Sequence, residues 1–197
     1  MGSNGRKYEI LKDHTTIVNG RTLYRIRALR DFGDVHAGDM GGWIQNEGNL
    51  SLKDSCWIYD NAKVYNRARV EYMAGVYNEA VVCQHGCVMG WAKVFDHAEI
   101  RERAIVKGNA RIHDWATICG GTRIFGNAII KENAHTHGDA WVYDEATVCG
   151  FASIHGNSQV YEQAKISGGV IVLGNAQVFG DIVLSGQEIL SGDLVLC

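Results

Sequence analysis

The sequence predicts an all-β fold, a parallel β-helix built from hexapeptide repeats. Cut every six residues from Gly48, the segment 48–197 divides into 25 hexads with no inserted or deleted residue. The fifth residue is aliphatic in 24 of these hexads, the exception being Thr136, and the third residue is alanine in 16. A period of six with two apolar positions does not produce the stripe of an amphipathic α-helix. Repeats of fixed length instead indicate a stacked, solenoid-like architecture.

Each hexad is predicted to form a short strand followed by a tight bend. Positions 3 and 5, such as Ala62 and Val64, are two residues apart and therefore point to the same side, into the interior. Positions 4 and 6 then point outward. The bends fall on positions 1 and 2, for example Asp60-Asn61 and Gly126-Asn127, where Gly, Asn and Asp tolerate positive φ. The chain contains no proline, which would remove hydrogen-bond donors from paired strands.

The first 47 residues have a different pattern and are predicted to form a separate N-terminal β cap. Two strand-like runs within Thr15 to Ala28 flank Asn19-Gly20, a strong β-hairpin signal. A parallel β-helix has open ends with unpaired backbone, and terminal caps are expected in such arrays. We therefore divide the chain into a cap, residues 1–47, and a β-helix of about eight turns, residues 48–197.

Composition argues against a general nucleic-acid surface or a membrane protein. The net charge is −3, and acidic and basic residues are mixed along the chain. No segment is apolar enough to span a bilayer, and Met1 to Asn19 lacks the apolar region of a signal peptide. Of six cysteines, Cys56 occupies an inward position, and the others fall at outward positions without a chelating pattern. These features predict a reduced, cytoplasmic protein.

Residues 23–51, LYRIRALRDFGDVHAGDMGGWIQNEGNLS, followed by CWIYDNAKVY at 56–65, resemble the start of the YdcK-like hexapeptide-repeat proteins. Proteins of this kind occur in bacteria and are common in phages and prophages. The resemblance implies a left-handed helix of triangular cross-section, with three hexads per turn, assembled as a homotrimer. Family members are usually named acyltransferases on the basis of their fold, which is an analogy and not an observation about a site.

With three hexads per turn, residues 18 apart stack at about 4.8 Å, the spacing between strands. One outer face then brings together four side chains that could bind zinc: Cys119, His135, His137 and His155. Solvated histidines along a strand give the same pattern, and tetrahedral geometry is not visible in a sequence. We therefore predict no metal and keep these residues as the alternative.

A second outer face carries aromatic residues in register, with an arginine and a tryptophan beside them: Phe125, Tyr143, Tyr161, Phe179, Arg123 and Trp141. Such a surface suits a small planar anion such as a nucleotide. Aromatic ladders also stabilise stacked strands or fill a subunit interface, and the sequence leaves both readings open.

The last turn and a half predicts an interface. Six of its outward positions are apolar, and exposed apolar patches mark interfaces: Ile171, Leu173, Phe179, Val183, Ile189 and Val195. In the same frame Glu188 points inward, which suggests that the register slips near the end.

Two functional classes follow, with a purely structural role as a third. The favoured class is a non-enzymatic binding protein without a cofactor or catalytic residue. It would bind a host protein, or sequester a nucleotide-like ligand in grooves between subunits. The alternative is an acyltransferase that uses a CoA thioester, with His113, His135 or His137 as general base. The hexads contain no inserted loop to build an acceptor pocket, which favours the first class.

Overall fold

The computed structural model describes residues 5–197, and these form the expected all-β parallel solenoid. An N-terminal hairpin, β1 (Tyr8–Val18) and β2 (Arg21–Ala28), leads to β3 (Met40–Ile44) and a short 3-10 helix (Glu47–Asn49). In residues 5–197, 24 two-residue strands follow, three to a coil, so that they build eight coils. Three parallel sheets result, which we name faces A, B and C, and they give the solenoid its three sides.

The strands of each face follow one another every 18 residues. Face A continues from β1, β2 and β3 through β5 (Lys63–Val64), β8 (Val81–Val82), β11 (Glu99–Ile100), β14 (Thr117–Ile118), β17 (His135–Thr136), β20 (Ser153–Ile154), β23 (Ile171–Val172) and β26 (Ile189–Leu190). Face B contains β4 (Trp57–Ile58), β7 (Gly75–Val76), β10 (Lys93–Val94), β13 (Arg111–Ile112), β16 (Ile129–Ile130), β19 (Thr147–Val148), β22 (Lys165–Ile166) and β25 (Val183–Leu184). Face C contains β6 (Arg69–Val70), β9 (Cys87–Val88), β12 (Ile105–Val106), β15 (Arg123–Ile124), β18 (Trp141–Val142), β21 (Gln159–Val160), β24 (Gln177–Val178) and β27 (Val195–Leu196).

The interior consists of the third and fifth residues of the hexads, as the sequence predicts. Ala62 and Val64 are fully buried, and the same holds along the array as far as Ala176 and Val178. Corner residues have the predicted positive φ, for example 50° at Asp60. The three-sided cross-section agrees with the resemblance, which also implies the left-handed sense.

The predicted hairpin is confirmed, and it covers the N-terminal end of the solenoid. Its strands β1 and β2 turn at Asn19-Gly20 and extend face A beyond the first coil through β3. Tyr8 and Ile26 from the hairpin join one continuous core with the solenoid interior, and the ring of Phe32 packs edge-on against Trp57 at 5.4 Å between centroids. Residues 1–4 of the predicted cap lie outside the described residues, and the division into two folding units stays a prediction.

The first hexad, residues 48–53, departs from the predicted frame. Leu52 was expected inside, but it is 37% exposed, and Leu50 instead pairs with Val70. The offset across that pair is 20 residues instead of 18, and Ile44 pairs with Val64 at the same offset, so the two extra residues lie in the bends between Leu50 and β4. The regular repeat therefore begins at residue 54, and the expected inward position of Leu52 in the first hexad was wrong.

Two buried polar side chains join the cap to the first coils. The Asn49 Oδ1 atom accepts hydrogen bonds from the backbone amides of Gln45 and Asn46, and its Nδ2 atom donates to the carbonyls of Asn66 and Ala68, all at 2.9–3.1 Å. Lys7 is fully buried as well. Its ammonium group donates to the carbonyl oxygen of residue 56 at 2.8 Å and lies 3.4 Å from the thiol of the same residue. Such contacts satisfy backbone groups where the ladder begins.

The register does not slip at the C-terminal end, contrary to our expectation. Strand β26 pairs with β23 in the usual 18-residue step, with Ile171 opposite Ile189. Glu188 keeps its position in the hexad and is exposed, since within residues 5–197 no coil is stacked on this part of the solenoid. The outward residues Val183, Ile189 and Val195 are 55–67% exposed, which leaves an apolar surface around the last coil.

Candidate functional site

Face C carries the predicted aromatic ladder, formed by the sixth residue of one hexad in each of four successive coils. Phe125 and Tyr143 stack with ring centroids 4.8 Å apart, Tyr143 and Tyr161 at 4.9 Å, and Tyr161 and Phe179 at 4.8 Å. The planes deviate from parallel by 3–12°. Strand spacing sets this separation, so the ladder follows directly from the 18-residue repeat.

Cations border the N-terminal half of this ladder. The Lys107 ammonium lies 5.2 Å from the Phe125 ring centroid, and the Arg123 guanidinium lies 5.1 Å from that of Trp141. Trp141 contacts Phe125 edge-on at 6.0 Å and is 37% exposed. The structure thus brings together all six residues that the sequence assigned to a ligand surface.

The tyrosine hydroxyls of the ladder are held in the plane of the sheet. Tyr143 Oη donates to Gln159 Oε1 at 3.3 Å, and Tyr161 Oη donates to Gln177 Oε1 at 3.4 Å. Burial raises the pKa of Tyr143, and the neighbouring phenol of Tyr161 adds to the effect. Both side chains are half-buried neutral phenols, and their ring faces are occupied by the neighbouring rings.

The four residues considered for a metal lie together on face A, but their ligand atoms do not converge. His137 and His155 stack face to face, with centroids 4.5 Å apart and planes 8° from parallel. Burial lowers the pKa of His137, and the nearby imidazoles of His155 and His135 lower it further. Cys119, His135, His137 and His155 supply no set of three ligand atoms within 4.8 Å of one another in residues 5–197. Parallel stacked imidazoles do not have the convergent arrangement that tetrahedral coordination of zinc requires.

The histidines considered as catalytic bases are divided between two faces. His135 and His137 belong to face A, whereas His113 follows strand β13 on face B. His113 Nδ1 lies 3.2 Å from Asp114 Oδ2, and Asp96 is close enough to form a three-residue group with this pair. The carboxylates of this group also accept backbone amides of the following coil, at 2.9–3.2 Å. His113 is therefore the candidate base that has a carboxylate partner.

A second, shorter ladder on face B is tied to the cap. Tyr59 stacks on Tyr77 at 4.3 Å and Tyr77 on Phe95 at 4.8 Å, and Tyr59 Oη donates to Asp34 Oδ1 at 2.7 Å. Burial raises the pKa of Tyr59, and the acceptor Asp34 reinforces the shift. This ladder fastens the loop before β3 to the first coils, and we assign it a structural role.

Sequence reasoning missed a groove beside the hairpin. It has a volume of about 600 Å³ and lies between the hairpin tip and the corner that joins face A to face C. Arg21 borders it from the hairpin, and Arg67, His85 and Arg103 border it from three successive coils. The 18-residue spacing of these three corner residues was visible in the sequence, but the approach of Arg21 was not, because it depends on how the hairpin folds back.

Comparison with known proteins supports the resemblance of residues 23–65 to the YdcK-like proteins. No protein-family model matches the chain. Over 38 residues the chain is 53% identical to YdcK of Escherichia coli (strain K12), which is described as an uncharacterized acetyltransferase. The resemblance is confirmed. The similarity to YdcK covers 19% of this chain and 12% of the length of the E. coli protein, so the activity of that protein enters here only as a proposal.

No helix in residues 5–197 is long and apolar enough to cross a membrane.

Proposed function

We propose that this chain is a non-enzymatic binding protein of the cytoplasm. It assembles as a homotrimer and holds a small, planar, anionic ligand at the aromatic ladder of face C. The observation that carries the proposal is the ladder itself, four rings at 4.8–4.9 Å with the cations of Lys107 and Arg123 beside it. Rings and cations side by side recognise planar anions such as nucleotides.

The ladder contacts such a ligand through its edges. Because the ring faces of Tyr143 and Tyr161 are occupied by their neighbours, a ligand base would lie across the strip, in the favourable edge-to-face arrangement. Its phosphate would pair with the guanidinium of Arg123 as a fork of two hydrogen bonds. The tyrosine hydroxyls are available as acceptors for the exocyclic amino groups of the base.

The binding groove requires a second subunit. The interior is filled by alanine, valine and isoleucine and has no room for a ligand, so binding is external. A flat face becomes concave where a neighbouring prism lies against it, and ligand sites are generally concave. Hexapeptide-repeat β-helix proteins are commonly trimeric, and the exposed apolar residues of the last coils, such as Val183 and Ile189, provide an interface.

A host protein is the other partner that this surface suits. Tyrosine, tryptophan and arginine are enriched at protein interfaces, and Trp141, Arg123 and the ladder form such a patch. In this case no small molecule is needed, and the same residues contact the partner directly.

Isothermal titration calorimetry with AMP, GMP and cyclic AMP tests the small-molecule proposal. We expect one of these nucleotides to bind, and Tyr143→Ala and Tyr161→Ala to weaken the binding by about tenfold or more. Phe95→Ala, at the end of the ladder on face B, is the matched control and should bind as the unmodified protein does. Full affinity in both tyrosine variants would show that face C is not the binding surface.

One observation favours acyl transfer as the second candidate. His113 has a carboxylate partner in Asp114, an arrangement that leaves Nε2 free to act as general base, and the relative YdcK is named an acetyltransferase. This reading would require a CoA thioester as acyl donor. The hexads from residue 54 to 197 have no inserted loop beside His113 to build an acceptor pocket. Hydrolysis or transfer from acetyl-CoA that His113→Ala abolishes would establish the enzyme and refute our proposal.

A further inference from the structure

The groove between the hairpin tip and the corner of the coils is a second site, separate from the aromatic ladder. We infer that it binds a small polyanion whose charges are phosphate groups, such as an oligophosphate or a phosphorylated metabolite. The site has about 600 Å³ of space and is bordered by Arg21, Arg67, His85 and Arg103. The groove combines a fixed wall, three arginines without ion pairs in residues 5–197, and a corner that offers hydrogen-bond donors.

The wall of the groove is the hairpin tip, which is anchored on the outside of face A. Leu23 is fully buried against Tyr65 and Cys83, in a cluster separate from the main core. The side-chain amide of Asn19 donates a hydrogen bond from Nδ2 to Tyr65 Oη at 3.1 Å. Arg21 and Leu23 are two residues apart on strand β2 and therefore project to the same side, toward the coils. The tip thus holds Arg21 over the groove.

The floor carries three side chains that repeat every 18 residues. Arg67, His85 and Arg103 occupy the same corner position in successive coils, so their backbones follow one another at about 4.8 Å. Within residues 5–197, Arg21, Arg67 and Arg103 take part in no ion pair. Three guanidinium groups without carboxylate partners on one concavity make a strongly electropositive site.

Three side-chain oxygens in the lining already accept hydrogen bonds from backbone amides. Gln45 Oε1 accepts a hydrogen bond from the backbone amide of Asn66 at 2.7 Å. Gln84 Oε1 accepts one from the backbone amide of Glu102 at 2.6 Å. Glu102 Oε2 accepts one from the backbone amide of Gly120 at 2.8 Å. The amide nitrogens of Gln45 and Gln84 are thereby left to donate. Glu102, the carboxylate in the lining, holds one oxygen against a backbone amide, and three guanidinium groups outnumber it, so the groove keeps a net positive charge.

A donor-rich pocket with several guanidinium groups matches phosphate more closely than other anions. The planar guanidinium forms paired hydrogen bonds with phosphate oxygens, and phosphate offers oxygens in several directions at once. The groove is bounded by the hairpin and the net charge of the chain is −3, so a small ligand fits better than a nucleic acid.

Calorimetric titration of the full chain with sodium tripolyphosphate tests this inference. At about 50 mM salt we expect one tripolyphosphate bound per chain, with weaker binding at about 300 mM salt. Arg67→Ala and Arg103→Ala should each weaken binding by about tenfold or more, because each removes charge-assisted hydrogen bonds. Arg111→Ala, an exposed arginine on face B, is the matched control and should leave affinity unchanged.

Three results would overturn the inference. The first is the absence of tripolyphosphate binding at low salt in a protein that is folded by circular dichroism. The second is an equal loss of affinity in Arg111→Ala, which would indicate diffuse surface charge. The third is single-stranded RNA or citrate that binds through Arg67 and Arg103 more tightly than tripolyphosphate. Tyr143→Ala should retain tripolyphosphate binding, so failure at the ladder and failure at this groove are distinguishable.

Discussion

Val94 and Lys93 are neighbours in strand β10 but lie in opposite environments, since Val94 is fully buried in the solenoid and Lys93 is exposed on face B. Val94→Asp would place an unpaired carboxylate in a thin apolar interior and should destabilise the protein by more than about 3 kcal/mol or make it insoluble. Lys93→Asp should change stability by less than about 1 kcal/mol. Thermal unfolding of both variants gives the comparison, and equal shifts would contradict the assignment of inward and outward positions.

Asn49 should be the most sensitive polar residue at the junction of cap and solenoid. Its side chain makes four hydrogen bonds to backbone groups, two as acceptor and two as donor. Asn49→Ala leaves these groups unpaired and should cost about 3 kcal/mol or more, since each orphaned buried group costs about 1–3 kcal/mol. Asn46→Ala removes one exposed capping bond, to Gly48, and should cost about 1 kcal/mol. Urea unfolding measures both, and similar losses would show that the buried network contributes little.

His137 should make the protein less stable in mild acid. Burial and the neighbouring imidazoles hold the pKa of His137 below its ordinary value of 6.5. As the pH falls through 6.5, the unfolded chain takes up a proton that the folded chain does not, so the free energy of unfolding decreases. Between about pH 7.5 and about pH 5.5, His137→Gln should therefore lose less stability than the unmodified protein.

The control for this measurement is His36→Gln, at an exposed position in the cap. It should follow the pH dependence of the unmodified protein. If His137→Gln and the unmodified protein lose the same free energy of unfolding, the stacked pair with His155 does not affect protonation.

Sequence reasoning predicted the solenoid well, because hexad periodicity is a local property that each coil repeats. The repeat predicts that Cys56 lies in the interior and that Tyr143 and Tyr161 lie next to each other on one face, and both predictions are confirmed. Sequence reasoning failed where contacts join distant segments. The burial of Lys7 against residues 53–56 depends on chain folding across 46–49 residues, which no periodic pattern reports.

The misplaced first hexad has a similar cause. Leu50 and Leu52 both occupy inward positions of the predicted hexad, and the sequence alone does not show that the bends after Leu50 leave Leu52 at the surface. The groove at Arg21 was missed because its wall comes from the hairpin. The 18-residue spacing in the sequence aligned the aromatic ladder and the candidate metal ligands. It did not show that the rings of His137 and His155 stack, or that the ligand atoms of the four candidates do not converge.

The proposed trimer makes a direct prediction about two residues of the late coils. Ile171 and Leu173 flank the inward residue of strand β23 and are half-buried in a single chain. Replacing both with aspartate should yield a monomer, since two charges would be buried at the interface without partners. Light scattering measures the mass, with Ser153→Asp on the same face as control. An unmodified protein that is already monomeric in dilute solution would contradict the proposal.

Native mass spectrometry of protein taken directly from cells tests the central claim, that this solenoid binds a ligand on face C. We expect a trimer that carries an additional mass, either a small anionic molecule or a host protein, and we expect the double variant Tyr143→Ala, Tyr161→Ala to lose that mass while it stays trimeric. A trimer of bare chains, or a co-purifying molecule that remains bound to the double variant, would contradict the account.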